Sequence, residues 1–183
     1  MTTYGLIGYP LGHSFSRKFF TEKFEKEGTD AQYLNFEIPS IEEFPNIIKN
    51  SSTLRGLNVT IPYKQQVMQH LDEISKEAKA IGAVNVVKVS KEGLIGYNSD
   101  VIGFVNSIRP LLKPHHKKAL ILGTGGASKA IHYGLEEKLG METLFVSRTA
   151  RQGMITYEEV TTEVLKEYEV IVNCSPAGMF PHV

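Results

Sequence analysis

Apolar positions in the first hundred residues fall in short runs broken by polar, glycine or proline residues. Residues 3–9 (TYGLIGY) predict a buried strand closed by Pro10. Ser14 or Ser16 then caps a helix whose apolar face is Phe15, Phe19, Phe20 and Phe24 and whose stop is Gly28. A strand is expected over 33–38. Ser40 with Glu43 three residues on reads as a capping box opening a helix over 41–48. Residues 57–61 predict a strand, with Pro62 at the first position of a helix running to Leu71. A short helix over 76–81 precedes a hairpin, 84–89 and 94–97, turned by Lys91-Glu92-Gly93. Strands alternating with helices argue an α/β domain with a mostly parallel sheet.

From Asp100 the pattern is a helix interrupted by Pro110, then a polar, basic stretch over 113–118 that reads as a linker. An apolar strand over 119–122 follows, then a glycine turn, a helix over 128–139 closed by Gly140, and a second strand over 143–146. This β-α-β unit has the length that dinucleotide binding requires. A helix over 157–168 and a strand over 170–173 come after it.

Composition narrows the class without naming it. With 183 residues and 42% hydrophobic side chains the chain can bury a real core. The charge is balanced overall, 20 Lys+Arg against 20 Asp+Glu, and it is balanced in each half as well. A nucleic-acid or membrane-surface binder needs a basic excess that this chain lacks. The single cysteine, Cys174, excludes an internal disulfide framework and a cysteine-based metal site; no metal is expected. No basic segment followed by a long apolar run opens the chain, and no run approaches the about 18 apolar residues of a membrane span. The expectation is a soluble cytoplasmic protein with a small-molecule substrate; its oligomeric state is not legible.

Gly123-Thr124-Gly125-Gly126-Ala127-Ser128 lies directly between a strand and a helix. The first glycine permits the tight turn and the second lets the backbone approach a pyrophosphate, which the helix N-terminus then meets. Ser128 stands where the third glycine of the pattern belongs. An NAD site places an acid at the end of the next strand; this chain has Ser147-Arg148-Thr149-Ala150-Arg151. A guanidinium binds a 2′-phosphate that a carboxylate would repel, so NADP is the cofactor expected, two solvated surface arginines being the plain alternative.

Four polar groups sit at element ends in the first half: His13-Ser14-Phe15-Ser16, Asn58 through Lys64, Gly82-Ala83-Val84-Asn85 and Asn98-Ser99-Asp100. Each alone has a structural explanation as a cap, a turn residue or exposed surface. Together they mark the strand ends that line a ligand crevice in a parallel α/β sheet.

The segments GYPLGHSFS, NVTIPYK, GAVNV, GYNSDVIGF, LGTGGAS, SRT and NCSPAGM, in that order, resemble the shikimate dehydrogenase family over the whole chain. The resemblance implies an N-terminal α/β substrate-binding and catalytic domain over 1–103. A linking helix over 104–113 and a partial, truncated Rossmann-type NADP-binding domain over 114–183 would follow, since family members continue beyond the NCSPAGM loop. It implies reversible hydride transfer between NADPH and the C3 carbonyl of 3-dehydroshikimate, giving shikimate. Ser14 and Ser16 would hold the ring carboxylate, and Asn58, Thr60, Asn85 and Asp100 the ring hydroxyls. Lys64 and Asp100 would be the catalytic pair, because a carbonyl taking hydride must acquire a proton. Lys64 is expected in the first turn of a helix, where the dipole would make it a readier proton donor. Gly123, Gly125, Gly126, Ala127, Ser147, Arg148, Thr149 and Arg151 would line the cofactor, with Ser175 and Met179 of NCSPAGM near the nicotinamide. Cys174 is expected as a packed side chain, not a nucleophile. A quinate/shikimate dehydrogenase with relaxed cofactor choice and a non-catalytic ligand-binding relative are the competing readings.

Overall fold

The computed structural model describes residues 1–12, 15–149 and 151–178. The chain divides into two compact units, 1–98 and 99–183.

The first unit is built on a six-stranded sheet in the order β2-β1-β3-β5-β6-β4. Its strands are β1 (Thr2–Gly8), β2 (Ala31–Glu37), β3 (Leu54–Val59), β4 (Glu73–Ile74), β5 (Val86–Ser90) and β6 (Gly93–Tyr97). β1 pairs in parallel with β2 and β3, but β5 runs antiparallel to β3, and β6 antiparallel to β5. The sheet is therefore mixed: β1–β2, β1–β3 and β4–β6 are parallel, while the hairpin turned at Lys91-Glu92-Gly93 contributes the two antiparallel pairings.

Side chains alternate across the sheet, so β1 sends Ile7 to one face and Leu6 to the other. The Ile7 face holds the larger core, with Phe44, Leu54, Leu57, Val59, Tyr63, Val67, Val84 and Val87. Phe44 comes from α2 (Phe44–Asn50), which follows a 3₁₀ turn capped by Ser40 accepting from the Glu42 amide. On the other face α1 (Phe15–Glu27) lays Phe20 and Phe24 over Leu6, Leu11 and Tyr33. The four-phenylalanine face expected for this helix is only half used. Phe15 and Phe19 are 77% and 45% exposed, since they share a stripe about 100° around the helix from the one through which Phe20 and Phe24 meet the cluster. α3 (Lys76–Ile81) has the expected bounds; Ser75 accepts from the Ala78 amide and Gly82 closes the helix at φ 70°.

The helix expected from Pro62 to Leu71 is absent as an α-helix. Residues 61–65 form turns, and a 3₁₀ helix, Gln66–His70, follows.

The second unit carries a four-stranded, all-parallel sheet in the order β10-β7-β8-β9. The strands are β7 (Lys118–Leu122), β8 (Glu142–Ser147), β9 (Met154–Thr156) and β10 (Val170–Asn173). α4 (Asp100–Ile108) and α5 (Gly126–Tyr133) cover one face with Phe104, Ile108 and Ile131, joined by Leu135 from the π-helical turn Gly134–Lys138 that continues α5; α6 (Thr162–Glu167) brings Val164 to the other. α4 falls within this unit. A Cβ on Gly134 would meet Val105, Phe104 and Val101 at 3.1–3.3 Å, so the absence of a side chain there lets α4 sit close against the end of α5. The helix expected over 157–168 is split into a 3₁₀ turn, Tyr157–Glu159, and α6. Among the described residues no helix is long and apolar enough to cross a membrane.

Candidate functional site

The mixed sheet still gathers Asn58, Thr60, Lys64 and Asn85 at one edge. β1, β2 and β3 end there, β5 begins there, and β6 returns there. Asn58 is the penultimate residue of β3 and pairs with Val86 at the start of β5, which pairs with Tyr97 at the end of β6. Asn85 thus reaches the edge from the N-terminal end of an antiparallel strand, a route that a parallel-sheet rule does not foresee.

Backbone hydrogen bonds stitch the loops at this edge. The Val59 amide donates to the Asn85 carbonyl (2.9 Å), Asn85 to Tyr97 (3.0 Å), and Val84 to Lys64 (2.7 Å). The Thr60 amide donates to the Ile7 carbonyl at 2.9 Å. The buried Tyr63 hydroxyl donates to the Ile38 carbonyl at 2.5 Å and anchors the turn that carries Lys64. Asn85 is buried, while Asn58, Thr60 and Lys64 are half-buried. Two further polar side chains act here: Asn98, read from the sequence only as part of the Asn98-Ser99-Asp100 group, and Tyr33, to which sequence reasoning gave no role. Asn98, 4% exposed, donates to the Ala83 carbonyl, and Tyr33 donates its hydroxyl to Asn58 Oδ1 at 2.7 Å.

Lys64 does not sit in the first turn of an α-helix; it lies in the turn before a five-residue 3₁₀ helix. The macrodipole argument for its acidity therefore lapses, because the aligned peptide units that make the dipole are missing. Ser16 is the second residue of α1, half-buried. Ser14 lies outside the described residues. Asp100 is the first residue of α4 after Ser99 at the cap position; it belongs to the second unit, two residues downstream of Asn98.

In the second unit three loops follow neighbouring parallel strands. The Gly123 amide donates to the Val146 carbonyl and the Cys174 amide to the Leu122 carbonyl, each at 2.9 Å. Gly123 has φ 103°, and a Cβ there would stand 3.3 Å from the Cys174 backbone. Glycine is required at this turn on both counts. Gly125 is the exposed cap of α5 with open space beside it, and Gly126 and Ala127 form the helix's first turn. Ser128, in place of the third glycine, is fully buried and donates to the Gly125 carbonyl at 2.6 Å. Ser147 is buried and its hydroxyl accepts from the Thr149 amide; Arg148, Thr149 and Arg151 are exposed just past β8. Open space at the glycine turn, a helix N-terminus and exposed guanidiniums with no acid among them fit a 2′-phosphorylated dinucleotide.

Asn173, unassigned from the sequence, shapes the next loop. Its Oδ1 accepts from the Ser175 amide and hydroxyl, and its Nδ2 donates to the Ala177 carbonyl, an Asx turn for which Asn before Cys-Ser-Pro was the available signal. Burial pushes the Cys174 thiol up to about 11, as expected of a packed side chain. Met179 lies outside the described residues.

A two-unit α/β protein whose second unit is a Rossmann-type nucleotide-binding sheet is the class this architecture defines. The family model for the shikimate dehydrogenase substrate binding domain matches residues 6–87. The shikimate dehydrogenase (NADP(+)) of Caldicellulosiruptor saccharolyticus is 35% identical over 194 residues, covering 97% of this chain and 69% of that protein. Shikimate dehydrogenase 1 of Peptoclostridium difficile superposes with a TM-score of 0.82 at 36% identity, over 100% of this chain and 70% of that one. The Thermus thermophilus enzyme, solved with NADP(H) and shikimate, gives 0.83 at 30% identity, over 97% and 70%. The chain belongs to the shikimate dehydrogenase family.

Proposed function

We propose that this protein interconverts 3-dehydroshikimate and shikimate with NADP as cofactor. The observation that carries the reading is the stitched edge of the first unit. Asn58, Thr60, Lys64 and Asn85 lie on loops held together by main-chain hydrogen bonds, so that a polyhydroxylated ring meets a preset array of amides, hydroxyl and ammonium. The Thermus thermophilus structure, which contains both NADP(H) and shikimate, supports the same assignment.

Bound NADPH supplies the hydride that adds to the carbonyl carbon of 3-dehydroshikimate. The chain's own part is to bind the ring, stabilise the oxygen and deliver a proton. Lys64 does the last two: its ammonium offsets the charge growing on the carbonyl oxygen and gives up a proton as the C–O double bond becomes a hydroxyl. Asp100 supplies the carboxylate that orients the reacting hydroxyl. Ser14 and Ser16 hold the ring carboxylate; Asn58, Thr60 and Asn85 hold the remaining hydroxyls. Gly123, Gly125, Gly126 and Ala127 would hold the pyrophosphate and Ser147, Arg148, Thr149 and Arg151 the 2′-phosphate end, with Ser175 and Met179 assigned to the nicotinamide.

The test is absorbance of reduced nicotinamide when the protein meets shikimate with NADP⁺, beside parallel arms with quinate and with NAD⁺. Turnover of shikimate with NADP⁺ well above the other three pairings is expected. Equal rates with quinate or NAD⁺ would replace the assignment by the broader quinate/shikimate activity, and no turnover in any arm would overturn it.

A further inference from the structure

Tyr33 belongs to β2, at the far side of β1 from Asn58, and yet its hydroxyl donates to Asn58 Oδ1 at 2.7 Å. The ring is 4% exposed and is held in place by Phe20, stacked on it at 4.7 Å between centroids and 14° between planes. The Ser16 side chain is also hydrogen-bonded to Tyr33. One phenol therefore joins two residues assigned to substrate, one on α1 and one on β3. A carboxamide has an acceptor and a donor end; with Oδ1 occupied by the phenol, the NH₂ of Asn58 is the end left to meet a ligand oxygen.

We propose that Tyr33 is a positioning residue that fixes the Asn58 carboxamide, and with it Ser16, for the substrate's hydroxyl and carboxylate oxygens. The proposal rests on the reading of this edge as the shikimate site. Tyr33 reaches no reacting atom in this scheme; it selects the rotamer and donor face of a group that does. Burial pushes its hydroxyl up to about 12, against the opposing pull of the Ser16 bond, so it remains a donor at every pH where the protein works.

The experiment is Tyr33→Phe, which keeps the ring and its stacking and removes only the oxygen, measured in shikimate oxidation with NADP⁺. The expected result is a KM for shikimate raised about 5- to 20-fold, the size of a lost polar contact at a binding site. kcat is expected within about twofold, with KM for NADP⁺ unchanged and the KM ratio constant from about pH 7 to 9. Asn58→Ala and the double variant complete a cycle. If the phenol acts through Asn58, Tyr33→Phe raises KM much less in the Asn58→Ala background than in the wild type, whereas a merely structural role leaves the two effects multiplicative. An unchanged KM in Tyr33→Phe, or multiplicative effects in the cycle, overturns the role of Tyr33 while leaving the activity standing. Failure of the wild type to oxidise shikimate overturns both.

Discussion

The side-chain amide of Asn98 donates to the main-chain carbonyl of Ala83 at 3.0 Å, with Asn98 4% exposed and Ala83 fully buried. The bond ties the residue just past β6 to the loop that places Asn85, two residues beyond Ala83. Buried carbonyls need such partners, and side chains are what supply them where a ladder ends.

Asn98→Ala is expected to destabilise the protein by about 1–3 kcal/mol, since it strands a buried acceptor. It should also raise KM for shikimate through the loosened Asn85 loop. Urea denaturation and steady-state kinetics check the two effects; wild-type stability would show that the brace is dispensable.

Arg148 is exposed where an NAD site carries an acid. Arg148→Ala is expected to weaken NADPH by about 1.5 kcal/mol, the lower end for a charge-assisted bond, or about tenfold. NADH affinity should hold. Titration of the wild type and Arg148→Ala with both cofactors reads the preference, and an unchanged preference removes Arg148 from the site.

Lys118 at the start of β7 lies 3.0 Å from Glu142 and 2.6 Å from Glu167, and the Tyr168 hydroxyl also donates to Glu142. The Lys118 ammonium, and after it the Tyr168 hydroxyl, hold the Glu142 carboxyl below the usual carboxylate range. A carboxyl depressed in the folded state contributes stability above its unfolded value, about 4.3, and that stability is lost as pH falls through the folded value. Glu142→Gln should therefore melt below the wild type at pH 7, with the gap closing as pH falls below the unfolded carboxylate value. A gap constant with pH would contradict this account of the cluster.

Local signals survived translation into structure well, and long-range ones did not. α3 appears at its expected bounds because Ser75 and Gly82 settle both ends within the segment itself. The glycine turn was legible for the same reason: Gly123 needs its φ of 103° whatever surrounds it. β4 and β9, of two and three residues, are strands only through their neighbours β6 and β8, and no periodicity fits in so few positions. The stretch after Pro62 reads as a helix by composition, yet Tyr63 is drawn inward to the Ile38 carbonyl and Val84 takes the Lys64 carbonyl, leaving turns there. At the site, residue types in loops announced Asn58, Lys64 and Asn85. Tyr33 stayed hidden because strand alternation tells which face a side chain takes, not that its hydroxyl crosses β1 to reach Asn58.

The catalytic assignment is tested most directly by kcat of Lys64→Ala in shikimate oxidation with NADP⁺. The substitution leaves untouched the main-chain carbonyl that receives the Val84 amide, and the side chain is only half-buried, so the fold and its melting temperature should be preserved. If the ammonium stabilises the oxygen and moves the proton, kcat falls by roughly 10²- to 10⁴-fold with little change in KM. A folded Lys64→Ala protein with near wild-type kcat would contradict the account.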